Sequence, residues 1–274
     1  MKQFYILPNP GKDRTGEVTG EITRYLEDKG STCRIIRDGS ELKDGADCLI
    51  VLGGDGTVLR AARRIVRHST PIIGINLGSL GYLAEVGKDA IFPALEQLLH
   101  DDFIIEERMM LEGKVIRKGE VIAAGYALND LTISRRGPLR VVQFESYINK
   151  EPLSRFNADG IILATPTGST GYSLSAGGPV VSPSASLIIM TPVAAHSINS
   201  RSIIFSDKDR IRVVIGEDRL IRPETAAVYF DGEDETMLRN GDAVEAHRAA
   251  YTTKIIKLSN ISFLEILRHK MQLT

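Results

Sequence analysis

The chain has 274 residues, 43% hydrophobic and 25% charged, the proportions of a globular protein with room for two domains or one large one. A formal net charge of −1 gives no electrostatic reason to expect a nucleic acid or an anionic membrane as partner, and no apolar run approaches the ~20 residues that cross a bilayer. The two cysteines, Cys33 and Cys48, lie in apolar strand-like runs without metal-ligand spacing, the pattern of buried, reduced thiols in a cytoplasmic protein.

Met1-Lys2-Gln3 opens directly into a strand, without the basic region and apolar core of a signal peptide. Gln3 to Leu7 reads as that strand, ended by Pro8-Asn9-Pro10-Gly11. A helix is expected from Gly16 to Lys29, with Gly30 closing it. Thr32 to Ile36 is a second strand. Cys48 to Leu52 is a third, and its unbroken apolar run is that of a strand buried on both faces. It stops at Gly53-Gly54-Asp55-Gly56-Thr57. From there to about His68 a helix is expected, with Val58, Leu59, Ala61, Ala62, Ile65 and Val66 on one face and arginines on the other. Pro71 to Ile75 is a fourth strand, running into a second glycine-rich turn, Asn76 to Tyr82. Asp89 is expected to cap a helix whose face is Ile91, Phe92, Leu95, Leu98 and Leu99. Strands alternating with helices at this spacing predict a mostly parallel, doubly wound sheet.

Beyond His100-Asp101-Asp102 the helical period nearly vanishes. Strand-like runs recur at 104–112, 114–116, 121–124, 127–134, 141–148, 161–164, 187–191, 202–205, 211–215, 226–230, 243–247 and 253–258. Lys118-Gly119 and Lys150-Glu151 read as turns, and Asn240-Gly241 as a hairpin. The pattern predicts a β-sandwich. A last helix, Ser262 to Met271, carries Phe263, Ile266, Leu267 and Met271 on one face and needs a surface to cover. The predicted organisation is an α/β domain over 1–101, with 260–274 packing back on it, and a β-sandwich domain over 102–259.

Five stretches carry polar residues where chemistry could sit. Asp55 stands on a glycine turn between a buried strand and a helix N-terminus, where exposed N–H groups favour phosphate. It could also cap the helix, but Thr57 could do so equally well, which leaves Asp55 with no obvious structural duty. Asn129-Asp130, between Leu128 and Leu131, marks either a bulge or strand end or a site. Asp159-Gly160 reads first as a turn. Thr165 to Pro179 holds five Thr or Ser hydroxyls by residue 173, four glycines and Tyr172. Such a run suits a ligand: glycines admit the backbone, hydroxyls donate and accept, and the tyrosine ring stacks on a planar base. Having no lysine or arginine, it fits the neutral part of a ligand, such as adenine and ribose. His196, between apolar strands, reads as a hydrogen-bonded core histidine.

In this order and spacing, Gly53-Gly54-Asp55-Gly56-Thr57, Asn129-Asp130 and the Thr165–Pro179 run resemble the motifs of NAD kinases. The likeness spans nearly the whole chain, including Gly78-Ser79-Leu80-Gly81-Tyr82 and His196 to Arg201. The glycine-Asp turn alone is shared with phosphofructokinases and with diacylglycerol- and sphingosine-type lipid kinases; Thr-Gly-Ser-Thr-Gly-Tyr is more specific. The resemblance implies transfer of the γ-phosphoryl group of ATP, with a divalent metal such as Mg²⁺, to the 2′-hydroxyl of the adenosine ribose of NAD. It implies that Asp55 orients or deprotonates that hydroxyl, and that Gly53, Gly54 and Gly56 present N–H groups to phosphates with Arg60 nearby. It further implies that Asn129 and Asp130 hold ribose and adenine, that Thr170 and Ser175 hydrogen-bond adenine, and that Tyr172 stacks on it. Asp159 and Ala194 line the remainder. Tyr82, Arg140, Asn157, Gly171, Ser173, Leu174 and Glu233 complete the implied dinucleotide-binding set. A homodimer or homotetramer and an active site in the crevice between the domains are also implied.

Four positions depart from the commonest pattern of that family. Asp130 stands for Glu, Tyr82 for Phe, Asn157 for a basic residue and Glu233 for Gln. Two other readings use the same features. One is a diacylglycerol-type lipid kinase, which shares the glycine-Asp turn. The other is a dinucleotide sensor without turnover.

Overall fold

The computed structural model describes every residue except 79–80, 85, 138–140, 197–200, 217–225, 260–261 and 273–274, and the side chains of all described residues except 269–272. Arg140, expected in the dinucleotide set, therefore lies outside the described residues, as does the side chain of Met271. The chain divides into two compact units: Met1–Arg108 with Thr252–Thr274, and Met109–Tyr251.

The first unit is built on a parallel sheet. Strands β1 (Gln3–Pro8), β2 (Thr32–Ile35), β3 (Cys48–Leu52), β4 (Ile72–Asn76) and the short β5 (Val86–Gly87) alternate with helices α1 (Glu17–Asp28), α2 (Asp55–Arg64) and α3 (Ile91–Leu99). The strands lie in the order 2-1-3-4, all in parallel, with β5 beside β4. β3 and β4 are buried at every position, as the unbroken apolar run of β3 requires of that strand. Phe4, Ile6, Ile50, Leu52, Ile73 and Ile75 share a core with Ile22 and Leu26 of α1 and Leu95 and Leu98 of α3. Because β1 connects outward to β2 and β3 connects through α2 to β4, the sheet reverses direction between β1 and β3. Open α/β sheets bind ligands at that switch point, beyond the carboxyl ends of the strands.

Two local expectations fail here. α2 ends at Arg64 rather than near His68, although Ile65 and Val66 stay buried beyond its end, so burial outruns the helix. Asp89 caps nothing: it sits inside a 3₁₀ turn (Lys88–Ala90), and α3 starts after Ala90 without a side-chain cap. Helix α5 (Phe263–Gln272) belongs to this unit; Phe263, Ile266 and Leu267 are half-buried and Leu264 is exposed.

The second unit is a two-layer β structure. Its strands are β6 (Ile104–Arg117), β7 (Glu120–Ala127), β8 (Asp130–Arg135), β9 (Val142–Ile148), β10 (Glu151–Ala158), β11 (Gly160–Ala164), β12 (Leu187–Val193), β13 (Ile203–Ser206), β14 (Ile211–Ile215), β15 (Ala226–Phe230), β16 (Glu233–Leu238) and β17 (Ala243–Lys257). The unit boundaries fall inside β6 and β17. One layer is the antiparallel run β13-β12-β11-β8-β15-β16; the other contains β10-β9-β14-β17 with β6 and β7. Leu131, Ile133, Ile161 and Leu163 from the first layer meet Val142, Phe144, Val213 and Val244 from the second in one core. The opposite face of the first layer buries Ile162, Ala164 and Ile189 under Ala176, within the hydroxyl-rich run, and Val181, just after it.

Several strand boundaries depart from expectation. The runs at 104–112 and 114–116 form one strand, with Gly113 inside it because a Cβ there would run into Leu131 and Phe230. The turn expected at Lys150-Glu151 lies one residue earlier, at Asn149-Lys150, where both residues take positive φ, and Glu151 opens β10. Asn240-Gly241 turns the chain but makes no hairpin. β16 pairs with β15 in one layer and β17 with β14 in the other, and the Gly241 N–H bonds the Ile215 carbonyl. Asp159-Gly160 is a one-residue bend, from β10 in one layer to β11 in the other.

Candidate functional site

In the first unit, the residues following β1 and β3 meet at the switch point. The Asn9 N–H donates to the Leu52 carbonyl at 2.8 Å, and Asn9 Nδ2 donates to Thr57 Oγ1 at 2.9 Å. Thr57 is thus occupied by Asn9 rather than capping α2. Gly53 is glycine because a Cβ there would press on Thr57, and its N–H already bonds the Ile75 carbonyl at 2.9 Å. The expectation that Gly53 offers an N–H to phosphate is therefore wrong. Gly54 is the N-cap residue, and Asp55 and Gly56 open α2, where first-turn N–H groups have no helical acceptor.

Asp55, expected to have no structural duty, has a specific one. Its carboxylate accepts three consecutive main-chain N–H groups: Tyr82 on Oδ2 at 2.8 Å, and Leu83 and Ala84 on Oδ1 at 3.0 Å each. Gly81 lies so close that a Cβ there would overlap the carboxylate. Burial raises the Tyr82 phenol above its ordinary pKa, and the Asp55 charge adds to the effect. Arg60 lines a neighbouring hollow with Pro8, Asn9, Thr57, Asp38 and Arg64. Asp38 is held below the usual carboxylate range, first by the Ser40 N–H and then by Arg64 and Arg60.

In the second unit, Asn129 and Asp130 stand at a strand end, where β8 begins. Asp130 opens β8 and is buried, with Thr132 Oγ1 donating to it at 2.9 Å. Burial, and then the nearby Asp231 charge, push its carboxyl up to about 6. The hydroxyl-rich run is helical rather than a loop: a 3₁₀ turn over Thr167–Thr170 leads into a short helix, α4 (Tyr172–Ser175). Its outer side presents Tyr172 and Leu174, 47% and 41% exposed, together with Ser175. Ser173, expected in the binding set, points inward instead; it is fully buried with Oγ 3.1 Å from Thr191 Oγ1, because residues one apart on a helix cannot share a face. Gly171 packs its backbone near Asn129 Nδ2, and the half-buried Thr170 is bonded weakly to the Thr167 carbonyl at 3.4 Å.

Asp159 is paired with Arg135, whose Nε donates to Oδ1 at 2.6 Å. Asn157 is exposed on β10, and its carbonyl accepts the His196 N–H at 2.9 Å; His196 itself is exposed, not a core residue. Ala194 follows β12 at φ 46°, a left-handed conformation that non-glycine residues rarely hold. Glu233 opens β16 after Asp231-Gly232. Cys48 is buried and Cys33 half-buried; both are free thiols, with Cys33 pushed up to about 11 by burial.

The structure thus brings Gly54, Asp55, Gly56, Arg60 and Tyr82 together in one unit. In the other it gathers Asn129, Asp130, Thr170, Gly171 and Tyr172. Both stretches fall within matches to known families: residues 34–103 match the ATP-NAD kinase N-terminal domain, and residues 128–258 match the ATP-NAD kinase C-terminal domain. The chain belongs to the ATP-NAD kinase family. A protein of Agathobacter rectalis named NAD kinase is 44% identical, with 99% of each chain covered. Another NAD kinase, from Lachnospira eligens, is 40% identical over 99% of this chain and 100% of its own. Yeast NADH kinase, solved in complex with NADH, superposes with a TM-score of 0.90 at 23% identity, covering 100% of this chain and 88% of that one. An Archaeoglobus fulgidus NAD kinase solved with ATP gives 0.77 at 23% identity over 94% of both chains. At that identity the two structures bear on the fold, which they share with this ATP-NAD kinase family member.

Four residues around the family's motifs went unread in the sequence. Asn9 bonds Thr57; its signal was the Pro-Asn-Pro-Gly turn after β1. Asp231 accepts the N–H groups of Leu128, Asn129 and Asp130, and its signal was a carboxylate before a turn glycine. Arg135 pairs with Asp159 and carried no signal. Thr167 has a buried hydroxyl that finds no hydrogen-bond partner among the described residues.

Proposed function

We propose that this chain transfers the γ-phosphoryl group of ATP to the 2′-hydroxyl of the adenosine ribose of NAD, yielding NADP. The observation that carries this reading is the full-length match, at 44% identity, to a protein named NAD kinase. Phosphoryl transfer has a loose transition state, so positioning and charge neutralisation outweigh proton removal. Asp55 is suited to the first task. Three N–H donors lock its carboxylate, and Oδ2, with one donor, keeps a lone pair for a ribose hydroxyl. Asp55 is accordingly an orienter first and a base second. The free first-turn N–H groups at Gly56 and Asp55, with Gly54 admitting the backbone and Arg60 alongside, suit phosphate oxygens.

In the second unit, taken as a dinucleotide-binding domain running from about 102 to 259, Asn129 and Asp130 hold ribose and adenine. Thr170, Gly171 and Ser175 line the base, and Tyr172 and Leu174 cover it. Asp159, Asn157, Ala194 and Glu233 border the rest. Among the described residues no three His, Cys, Asp or Glu side chains converge on a cation site. The expected metal is a Mg²⁺ ion carried mainly on the ATP phosphates; when bound, such an ion neutralises charge on the transferring group. The reduced thiols suit a cytoplasmic enzyme, and a homodimer or homotetramer is the expected assembly.

Purified protein with Mg²⁺, ATP and NAD, followed by a coupled NADP-dependent dehydrogenase, tests the reading. NADP should accumulate, and Asp55→Asn should lower kcat by orders of magnitude. Phosphorylated lipid instead of NADP would establish the lipid-kinase alternative; tight NAD binding without product would establish the sensor.

A further inference from the structure

We infer that Asp231 is a positioning residue for the dinucleotide, setting the Asn129 corner against the hydroxyl-rich helix; this rests on the NAD-binding reading above. Asp231 follows β15 at φ 50°, with Gly232 at 76° and Asp234 at 54° beyond it and a bulge between Val228 and Phe230 before it. A non-glycine residue in the left-handed region is strained, which the surroundings must offset.

The offset is visible. The Asp231 carboxylate accepts the N–H groups of Leu128 at 2.9 Å, Asn129 at 2.7 Å and Asp130 at 3.0 Å, and its own N–H returns to the Asp130 carbonyl at 2.9 Å. The opposite edge of the same peptides is held by Thr165. Its N–H donates to the Asn129 carbonyl at 2.8 Å and its Oγ1 donates to the Leu128 carbonyl at 2.5 Å, while that same oxygen accepts the Gly168 N–H at 3.1 Å. Gly168 is packed on Asn129 so closely that a Cβ would overlap the Asn129 carbonyl oxygen, and a Cβ at Gly171 would come within 3.3 Å of Asn129 Nδ2.

The Asn129 corner is therefore clamped between Asp231 on its N–H edge and Thr165 on its carbonyl edge. Releasing the Asp231 side lets Asn129 and Asp130 drift relative to Thr170–Tyr172. Three N–H donors on one side chain need both carboxylate oxygens as acceptors. That explains why a carboxylate sits here despite the buried Asp130 beside it, where an amide would avoid the like charge.

Asp231→Asn is nearly isosteric but turns one acceptor oxygen into a donor. We expect at least a tenfold rise in both the NAD KM and the calorimetric NAD Kd, with a much smaller fall in kcat and an ATP KM within twofold of wild type. In ligand-free protein, hydrogen exchange at the amides of 128–130 should accelerate, while β11 amides keep their protection. Unchanged NAD affinity in a variant whose 128–130 amides exchange faster would overturn the inference, as would unchanged exchange. Asp231→Ala should show the same pattern more strongly; where it fails to fold, the Asn variant decides. Wild-type protein that binds NAD but forms no NADP would overturn the functional reading alone, since the binding and exchange measurements still decide the role of Asp231.

Discussion

Asp55 and Asp231 use one device in different units: each accepts three consecutive main-chain N–H groups, from 82–84 and from 128–130. A carboxylate held this way cannot rotate without leaving donors unpaired, at about 1–3 kcal/mol for each buried group. For Asp55 that rigidity is what an orienting group needs, because small displacements from productive geometry are expensive in rate. Gly81 tests this without touching the carboxylate chemically. A Cβ at Gly81 would overlap the Asp55 carboxylate, so Gly81→Ala must displace it. We expect kcat to fall on the order of 100-fold, with the melting temperature shifted by only a few degrees. Near-normal turnover in a folded Gly81→Ala protein would show that the position of Asp55 is not limiting.

At the scale of elements, the hydroxyl-rich run shows where function leaves its mark. Read as residues it is a glycine-punctuated run suited to a ligand; folded, it contains a 3₁₀ turn and a short helix whose Ser173 is tied to Thr191 and whose Tyr172 stands outward. Under the proposed function, this exposed ring stacks on the base in substrate and transition state alike. Tyr172→Ala should therefore raise the NAD KM more than it lowers kcat. A rise confined to the ATP KM would reverse the assignment of the two substrates. Strands were legible where the run is apolar throughout or on one face. β10 was not, because nearly all of it is exposed and it carries no alternation, and β16 likewise offers only Leu238 to the core.

At the scale of the molecule, one buried carboxylate makes stability depend on pH. The Asp130 carboxyl, with an ordinary value of 3.8, is raised to about 6 by burial and by Asp231. Between those values the folded chain binds a proton that the unfolded chain has released, so stability declines as pH rises through that window and is flat above it. The burden at pH 8 is about 3 kcal/mol. Asp130→Asn keeps an oxygen for Thr132 and removes the charge. It should therefore stabilise the protein most at pH 8, and by less than half as much at pH 4. Urea unfolding at the two pH values measures this; an equal gain at both would show that the charge is not the cause.

The sequence by itself determined the parallel α/β unit, the β unit after it and the kinase family. Those signals are local: the unbroken apolar run of β3, the glycines that end it, the periodic face of α2 and the Thr-Gly-Ser-Thr-Gly-Tyr run. Only the tertiary structure decided what Asp55, Gly53, Ser173 and Asp231 touch, and that Asn240-Gly241 carries the chain from one sheet layer to the other. The physical reason is separation along the chain. The partners of Asp55 lie 27 to 29 residues away and those of Asp231 more than a hundred. A hydrogen bond closed across that distance imposes no period or spacing on the residues between.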